Sequence, residues 1–308
     1  MIFALDESTF LLDGIPEESC LELLEDYLDL IDMAIEGGWQ VFYSADLFSN
    51  IVGWGLSFYE LYSEASPLFI PMEIRERVAA AFSILQRWDD GDLPDPMEVV
   101  INDRLFFAPT VAWMATKILG GEDASCLVFK SARRKGFQPI VFSAKQFSAF
   151  FASDAESYRE AFRTSIVSNC NNSSLLECYS KSAFPNLRFV DGVFSGIKDM
   201  SKPYLNMCAP IVHHLSAFSD FGREIFSGDR AEVSGRFGAL GVNITDENGN
   251  TKHDAKAMAQ RRKDFKGDLL EFTWHSKLAP DRDRIHICPD KIQEDGYIIV
   301  GIFCYHLK

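Results

Sequence analysis

The chain has 308 residues, 47% hydrophobic, 24% charged and 13% aromatic, which excludes disordered, collagen-like and coiled-coil proteins and is enough for two domains. Forty-five acidic residues against 30 basic ones, a net charge of −15, argue against nucleic-acid binding by the average surface while leaving room for a local basic site. No apolar run reaches the roughly 18 residues of a membrane helix, and MIFALDESTF lacks a signal peptide's basic start, so a cytoplasmic protein without membrane contact is expected.

In chain order, IFAL (2–5) reads as a buried strand. Pro16 then opens a helix through Glu36, with Leu21, Leu24, Leu28, Ile31 and Ile35 on one stripe and Gly37-Gly38 as its stop. WQVFYS is a second strand, Asp46 to Tyr62 an apolar helical run, Pro71 the start of a helix through Trp88, and DDGDLPDP (89–96) a loop. Pro109 begins a helix ending at Gly120-Gly121, after which SCLVFK and QPIVFS are strands flanking the basic turn Arg133, Arg134, Lys135. Strands alternating with helices make this first part an acidic α/β domain, residues 1–168.

The polar break NCNNSS (169–174) opens a helical connector, residues 169–227, with a helix from about Pro203 to Phe221 carrying His213 and His214. Adjacent helical residues point about 100° apart, so one of that pair is expected to be packed or capping rather than part of a site. Residues 228–308 read as an α+β domain: FGALGVNI (237–244) as a strand, DENGN as a turn, DAKAMAQRRKDF as a helix, and then DLLEFTWHS, DRIHIC and GYIIVGIFCYH as a closing antiparallel sheet. The expected fold is therefore an α/β N-terminal region plus an α+β C-terminal domain with an antiparallel sheet.

Charge and histidine divide along the chain. Residues 1–100 hold 21 acids and 3 bases, whereas all six histidines follow residue 200. In the strand period Thr273, His275 and Lys277 share a face, as do Arg284, His286 and Cys288 on the next strand. Pairing through APDRD would bring His275, Lys277, Arg284 and His286 onto one surface, with His306 arriving from the last strand. Imidazoles can move protons near neutral pH and cations can hold a phosphate, and metal-free RNA cleavage needs little more. Just upstream, Lys252, His253, Lys256, Arg261, Arg262, Lys263 and Lys266 form a basic cluster suited to phosphates.

Other readings compete. The closing strands can be plain core with a solvated polar face. Three histidines can bind a metal, but zinc-motif spacings are missing and the neighbouring cations would repel an ion, so neither metal nor cofactor is expected. A metal-dependent nuclease built on Asp6, Asp46 and Asp89 lacks diagnostic spacing. Seven scattered cysteines, never CxxC, suggest buried thiols. Walker, GxSxG and GxGxxG motifs are absent from the sequence.

The segment EFTWHSKL...DRIHICPD...GYIIVGIFCYHLK resembles, over about the last 70 residues, the RelE/HigB-like bacterial toxin domains, which cut messenger RNA on the ribosome. The resemblance implies functional basic groups at Arg284, His306 and Lys308, with Lys277 a looser match. The chain as a whole resembles proteins of bacterial anti-phage defence. Together these imply an RNA-directed nuclease or toxin-like effector with RNA or the ribosome as partner, and a protein partner bound through the acidic half. The alternative is a non-catalytic subunit docking through that half.

Overall fold

A computed structural model describes residues 1–63, 66, 68–88, 94–132 and 134–307. The chain forms two compact units, Met1–Phe162 and Arg163–Lys308. The stretch 169–227, read from sequence as a connector, lies within the second.

The first unit runs β1 (Ile2–Leu5), α1 (Glu17–Glu36), β2 (Gln40–Tyr43), the hairpin β3 (Ile51–Gly53) and β4 (Leu56–Ser57), α2 (Phe58–Leu61), α3 (Met72–Ile84) and β5 (Gln86–Arg87). It continues through the hairpin β6 (Glu98–Ile101) and β7 (Arg104–Phe107), α4 (Pro109–Leu119), β8 (Ala124–Leu127), β9 (Gly136–Phe142), β10 (Lys145–Ala152) and the start of α5 (Ala155–Ser168). One eight-stranded sheet has the order β5-β2-β1-β8-β10-β9-β6-β7. Its first five strands pair in parallel and the last three join antiparallel. The apolar side of α1 is buried through Leu24, Leu28 and Ile31, and α4 buries Val111, Ala112, Met114 and Ala115 against the sheet. This is the α/β region expected, with three departures. The run from Asp46 to Tyr62 is not one helix, because Trp54 and Gly55 take left-handed φ of 50° and 73° and fold Ile51–Ser57 into a hairpin. The helix after Pro71 stops at Ile84, because Gln86 and Arg87 pair with β2. The β6–β7 hairpin, turned by Asn102 and Asp103 at φ of 50° and 62°, and β10 lack counterparts in the sequence reading. Most of the loop read at 89–96 lies outside the described residues, as does Arg133.

The second unit contains α6 (Ser174–Ala183), β11 (Leu187–Phe189), α7 (Tyr204–Ser227), α8 (Val233–Ala239), β12 (Ile244–Thr245), α9 (Gly249–His253) and α10 (Ala255–Arg261). Then come the hairpin β13 (Arg262–Phe265) and β14 (Asp268–Glu271), β15 (Trp274–Ala279), β16 (Arg282–Cys288), α11 (Ile292–Asp295) and β17 (Ile298–Cys304). A five-stranded sheet, β11-β17-β16-β15-β12, is antiparallel except at β11–β17, so the closing antiparallel sheet is present. Helix α7 packs on the side of β15 that carries Trp274 and Ser276: the Phe226 and Trp274 rings lie 5.3 Å apart, and His214 Nδ1 and Ser276 Oγ are 2.9 Å apart. Three expectations fail here. DLLEFTWHS is not one strand, since Asp268–Glu271 pairs with β13 in a separate two-stranded ribbon and only Trp274–Ala279 joins the closing sheet. Phe237–Ala239 ends a helix because Phe237 packs on Phe218 of α7, leaving only Ile244–Thr245 as strand. The helix read as DAKAMAQRRKDF ends at Arg261, because Lys266 and Gly267 adopt φ of 55° and 91° and turn Arg262–Phe265 back onto Asp268–Glu271.

Candidate functional site

The register of β15 and β16 pairs His275 with His286 and Lys277 with Arg284, so two strands place four of the five predicted catalytic side chains in adjacent cross-strand rows. The imidazole centroids are 5.0 Å apart. Both rings are buried, His275 at 4% and His286 at 0% exposure, which corrects the expectation of an open surface. Thr245, Glu247 and Arg261 cover them. Thr245 Oγ1 lies 3.2 Å from His275 Nε2, and Glu247 Oε1 lies 3.3 Å from His275 Nδ1, off hydrogen-bonding geometry. Arg261 donates from Nε to Glu247 Oε1 at 2.8 Å and from Nη1 to the Ala257 carbonyl at 2.9 Å. His286 Nδ1 is 3.0 Å from the Phe272 carbonyl. A carbonyl only accepts, so Nδ1 carries the proton and a neutral ring leaves Nε2 as an acceptor.

The electrostatics follow from this packing. Burial pushes the Glu247 carboxyl up, but interactions with His275 and Arg261 outweigh it and hold the group at about 2, ionised. Burial, with the neighbouring His275, pushes His286 down to about 3. His275 Nδ1, His286 Nε2 and Arg284 Nε are all buried without a hydrogen-bond partner among the described residues.

The remaining predicted residues separate. Lys277 and Arg284 are half-buried, and Arg284 pairs across to Cys304, whose thiol burial pushes up to about 11. His306 is exposed beyond the end of β17 and does not join the histidine pair, while Lys308 lies outside the described residues. The basic cluster is not one helical face, since α9, α10 and the β13–β14 hairpin divide it. Lys252 is held by Asp246 at 2.7 Å and Arg262 by Glu271 at 2.7 Å, whereas Lys256 and Lys263 are exposed. Arg261 is buried on Glu247, so it is a strut of the cover and not a surface phosphate ligand. Lys266, with Lys181 and Arg188, borders a cleft of about 640 Å³ that neither His275 nor His286 lines.

Glu247 is the member that sequence reasoning missed: it sits in the polar turn DENGN, 28 residues before His275, where nothing local marks it. His214 is packed, whereas His213 is exposed and meets a helix end. His213 Nε2 lies 3.0 Å from the Leu240 carbonyl at the end of α8, and burial, with His213 beside it, pushes His214 down to about 4.

Glu247, His275 and His286 offer three ligand atoms within 4.8 Å of one another, the one such group among the described residues. A divalent ion there would have to displace or share the carboxylate that Arg261 holds. Among the described residues the acidic alternative in the first unit does not assemble. Buried Asp6 is engaged by the Arg134 guanidinium and by Ser8, Asp46 is exposed on another turn, and Asp89 lies outside the described residues. Comparison with protein-family models, curated proteins and solved structures found no match to this chain.

Proposed function

We propose that the second unit is an RNA-directed phosphodiesterase of the toxin-like effector kind, working without a metal, in which Lys277 and Arg284 hold a phosphate in front of the His275–His286 pair. The observation that supports this reading is the gathering of buried, unpartnered polar atoms on His275, Arg284 and His286. An unmet buried donor or acceptor costs about 1–3 kcal/mol, and folds retain such groups where a ligand or reaction uses them. His275 stands 3.3 Å from ionised Glu247, the carboxylate that would orient it as a base once the two close into hydrogen-bonding geometry. Access to both imidazoles requires the cover formed by Thr245, Glu247 and Arg261 to move.

The test is cleavage of an end-labelled RNA by the purified full-length chain, against folded Lys277→Ala and Arg284→Ala variants. Lys277 and Arg284 are only half-buried, which favours folding of both. Products ending in a 2′,3′-cyclic phosphate, reduced at least 100-fold in either variant, are expected. Absence of cleavage, or equal cleavage by all three proteins, would overturn catalysis. The burial of both imidazoles favours a second reading, a non-catalytic subunit. Under it the variants change neither cleavage nor bacterial growth, and a partner protein co-purifies through the acidic first unit.

A further inference from the structure

The first unit carries a separate site at the carboxyl edge of its sheet. Strands β1 and β8 are parallel neighbours, registered up to Leu5 opposite Leu127. From β1 the chain leaves through α1 to β2 on one side. From β8 it leaves to β9 and β10 on the other. The order reverses between them, and in open α/β sheets the loops diverging at such a point leave a crevice at the carboxyl ends of the strands that takes ligands. A cleft of about 850 Å³ lies there, bordered by Ser8 and Thr9 after β1 and by Lys130, Ser131 and Arg134 after β8. That volume is in the range of small-molecule sites.

The lining is basic on one side and apolar on the other, with one carboxylate, Asp13, whose Oδ1 accepts from the Trp54 amide at 3.0 Å. Residues 1–162 hold 27 acidic and 11 basic side chains, yet three of those bases, Arg104, Lys130 and Arg134, line this one cleft. Arg134 is held in place: Nη1 bonds to Asp6 and Ser8, and its guanidinium lies 4.1 Å over the Phe106 ring. Lys130 meets Asp26 only through an exposed pair at 3.0 Å, and Arg104 is exposed on the β7 side. Exposed pairs of this kind are weak, so a stronger anion can recruit the lysine. Leu11, Ile15, Ile101 and Phe106 supply the apolar wall.

We infer that this cleft binds a small phosphorylated ligand with a planar apolar body, the chemistry of a mononucleotide, its phosphate on the exposed Arg104 and Lys130 beside the buried Asp6–Arg134 pair and its body against Phe106. This site is independent of the second unit's proposed activity.

The test uses full-length protein with AMP, inorganic phosphate and pyrophosphate as probes, each titrated by calorimetry at fixed salt. AMP should bind at least tenfold more tightly than inorganic phosphate, and the double variant Arg104→Glu, Lys130→Glu, both exposed positions, should weaken it at least tenfold. Lys145→Glu, an exposed base of the same unit outside the cleft, controls for half of that change in net charge and should leave affinity within twofold. Equal loss in Lys145→Glu, unchanged affinity in the double variant, or no AMP heat at 10 mM (a concentration on the order of ten times a millimolar dissociation constant) would overturn the site. Pyrophosphate binding as tightly as AMP would overturn the role of the apolar wall.

Discussion

His286 offers the most quantitative handle on the second unit. Its ring is fully buried, Nδ1 donates to the Phe272 carbonyl, and its pKa is held at about 3 against an ordinary 6.5. A histidine depressed in the fold contributes stability that is complete above 6.5 and is lost as pH falls towards 3. Each pH unit inside that window is worth about 1.4 kcal/mol. At pH 5 the unfolded chain binds the proton and the folded one does not, so wild-type stability falls by about 2 kcal/mol between pH 7 and pH 5 from this residue alone. That figure is insensitive to the folded value as long as it stays below about 4, because the proton uptake at pH 5 then belongs entirely to the unfolded state. His286→Asn keeps an amide N–H at the Nδ1 position and removes the titration. It should cost about 1–3 kcal/mol at pH 7 for the lost ring packing, and its disadvantage should shrink by about 2 kcal/mol at pH 5. The assay is urea unfolding at both pH values followed by fluorescence, Trp274 being the single tryptophan of residues 163–308. Parallel pH dependence in the two proteins would show that His286 titrates normally in the fold and would refute the burial argument.

Arg261→Met strands ionised Glu247 under the cover, both side chains being at most 7% exposed, and should destabilise the unit by about 3–5 kcal/mol. Adding Glu247→Gln should recover part of that loss, and additive losses in the double-mutant cycle would sink the pairing. In the first unit burial, with Asp6 beside it, pushes Glu7 up to about 7, so its carboxyl favours the fold fully below 4.5, and that stability is lost as the unfolded chain ionises between 4.5 and about 7. Glu7→Gln preserves the acceptor for the Thr110 amide and should flatten a decline of about 3 kcal/mol between pH 4.5 and pH 8, read by thermal melts across that range. Gly196→Ala would place a methyl 2.2 Å from the Phe303 carbonyl oxygen, a backbone atom that cannot swing aside, so a loss of at least about 2 kcal/mol is expected in chemical denaturation.

How much of this was legible in the sequence depends on how local the cause is. Strand-period alternation in FTWHSKL and DRIHIC forces His275 and Lys277 to one face and Arg284 and His286 to one face, and a short turn sets the register, so the adjacent rows follow from local pattern. The cover does not, because Glu247 and Arg261 reach the pair only through β12, α9 and α10, and tertiary contacts choose among polar residues that look alike in sequence. The same limit explains the mistaken helices. The DAKAMAQRRKDF stretch is helix-prone until Lys266-Gly267 makes a two-residue turn, and that turn lies just beyond the periodic segment. Burial likewise reverses chemistry without changing composition: Arg261 belongs to a basic run by sequence and to a buried ion pair by structure.

The cover also separates a structural cluster from a functional one. If Thr245, Glu247 and Arg261 only complete the core, every substitution that weakens them lowers stability and any activity together. If Thr245 and Arg261 close a reactive pair that Glu247 orients, weakening either of the two must move stability and activity in opposite directions, because the imidazoles gain access as the fold loses its ion pair. Arg261→Gln is the discriminating change, since it removes the charge while keeping donors for Glu247. Under the catalytic reading, single-turnover RNA cleavage at pH 7 should rise severalfold while the urea midpoint falls. Dependence on His275 should persist, so that His275→Gln in the same background abolishes the gain. Cleavage and stability falling together would leave Arg261 as a strut and the histidine pair as packing.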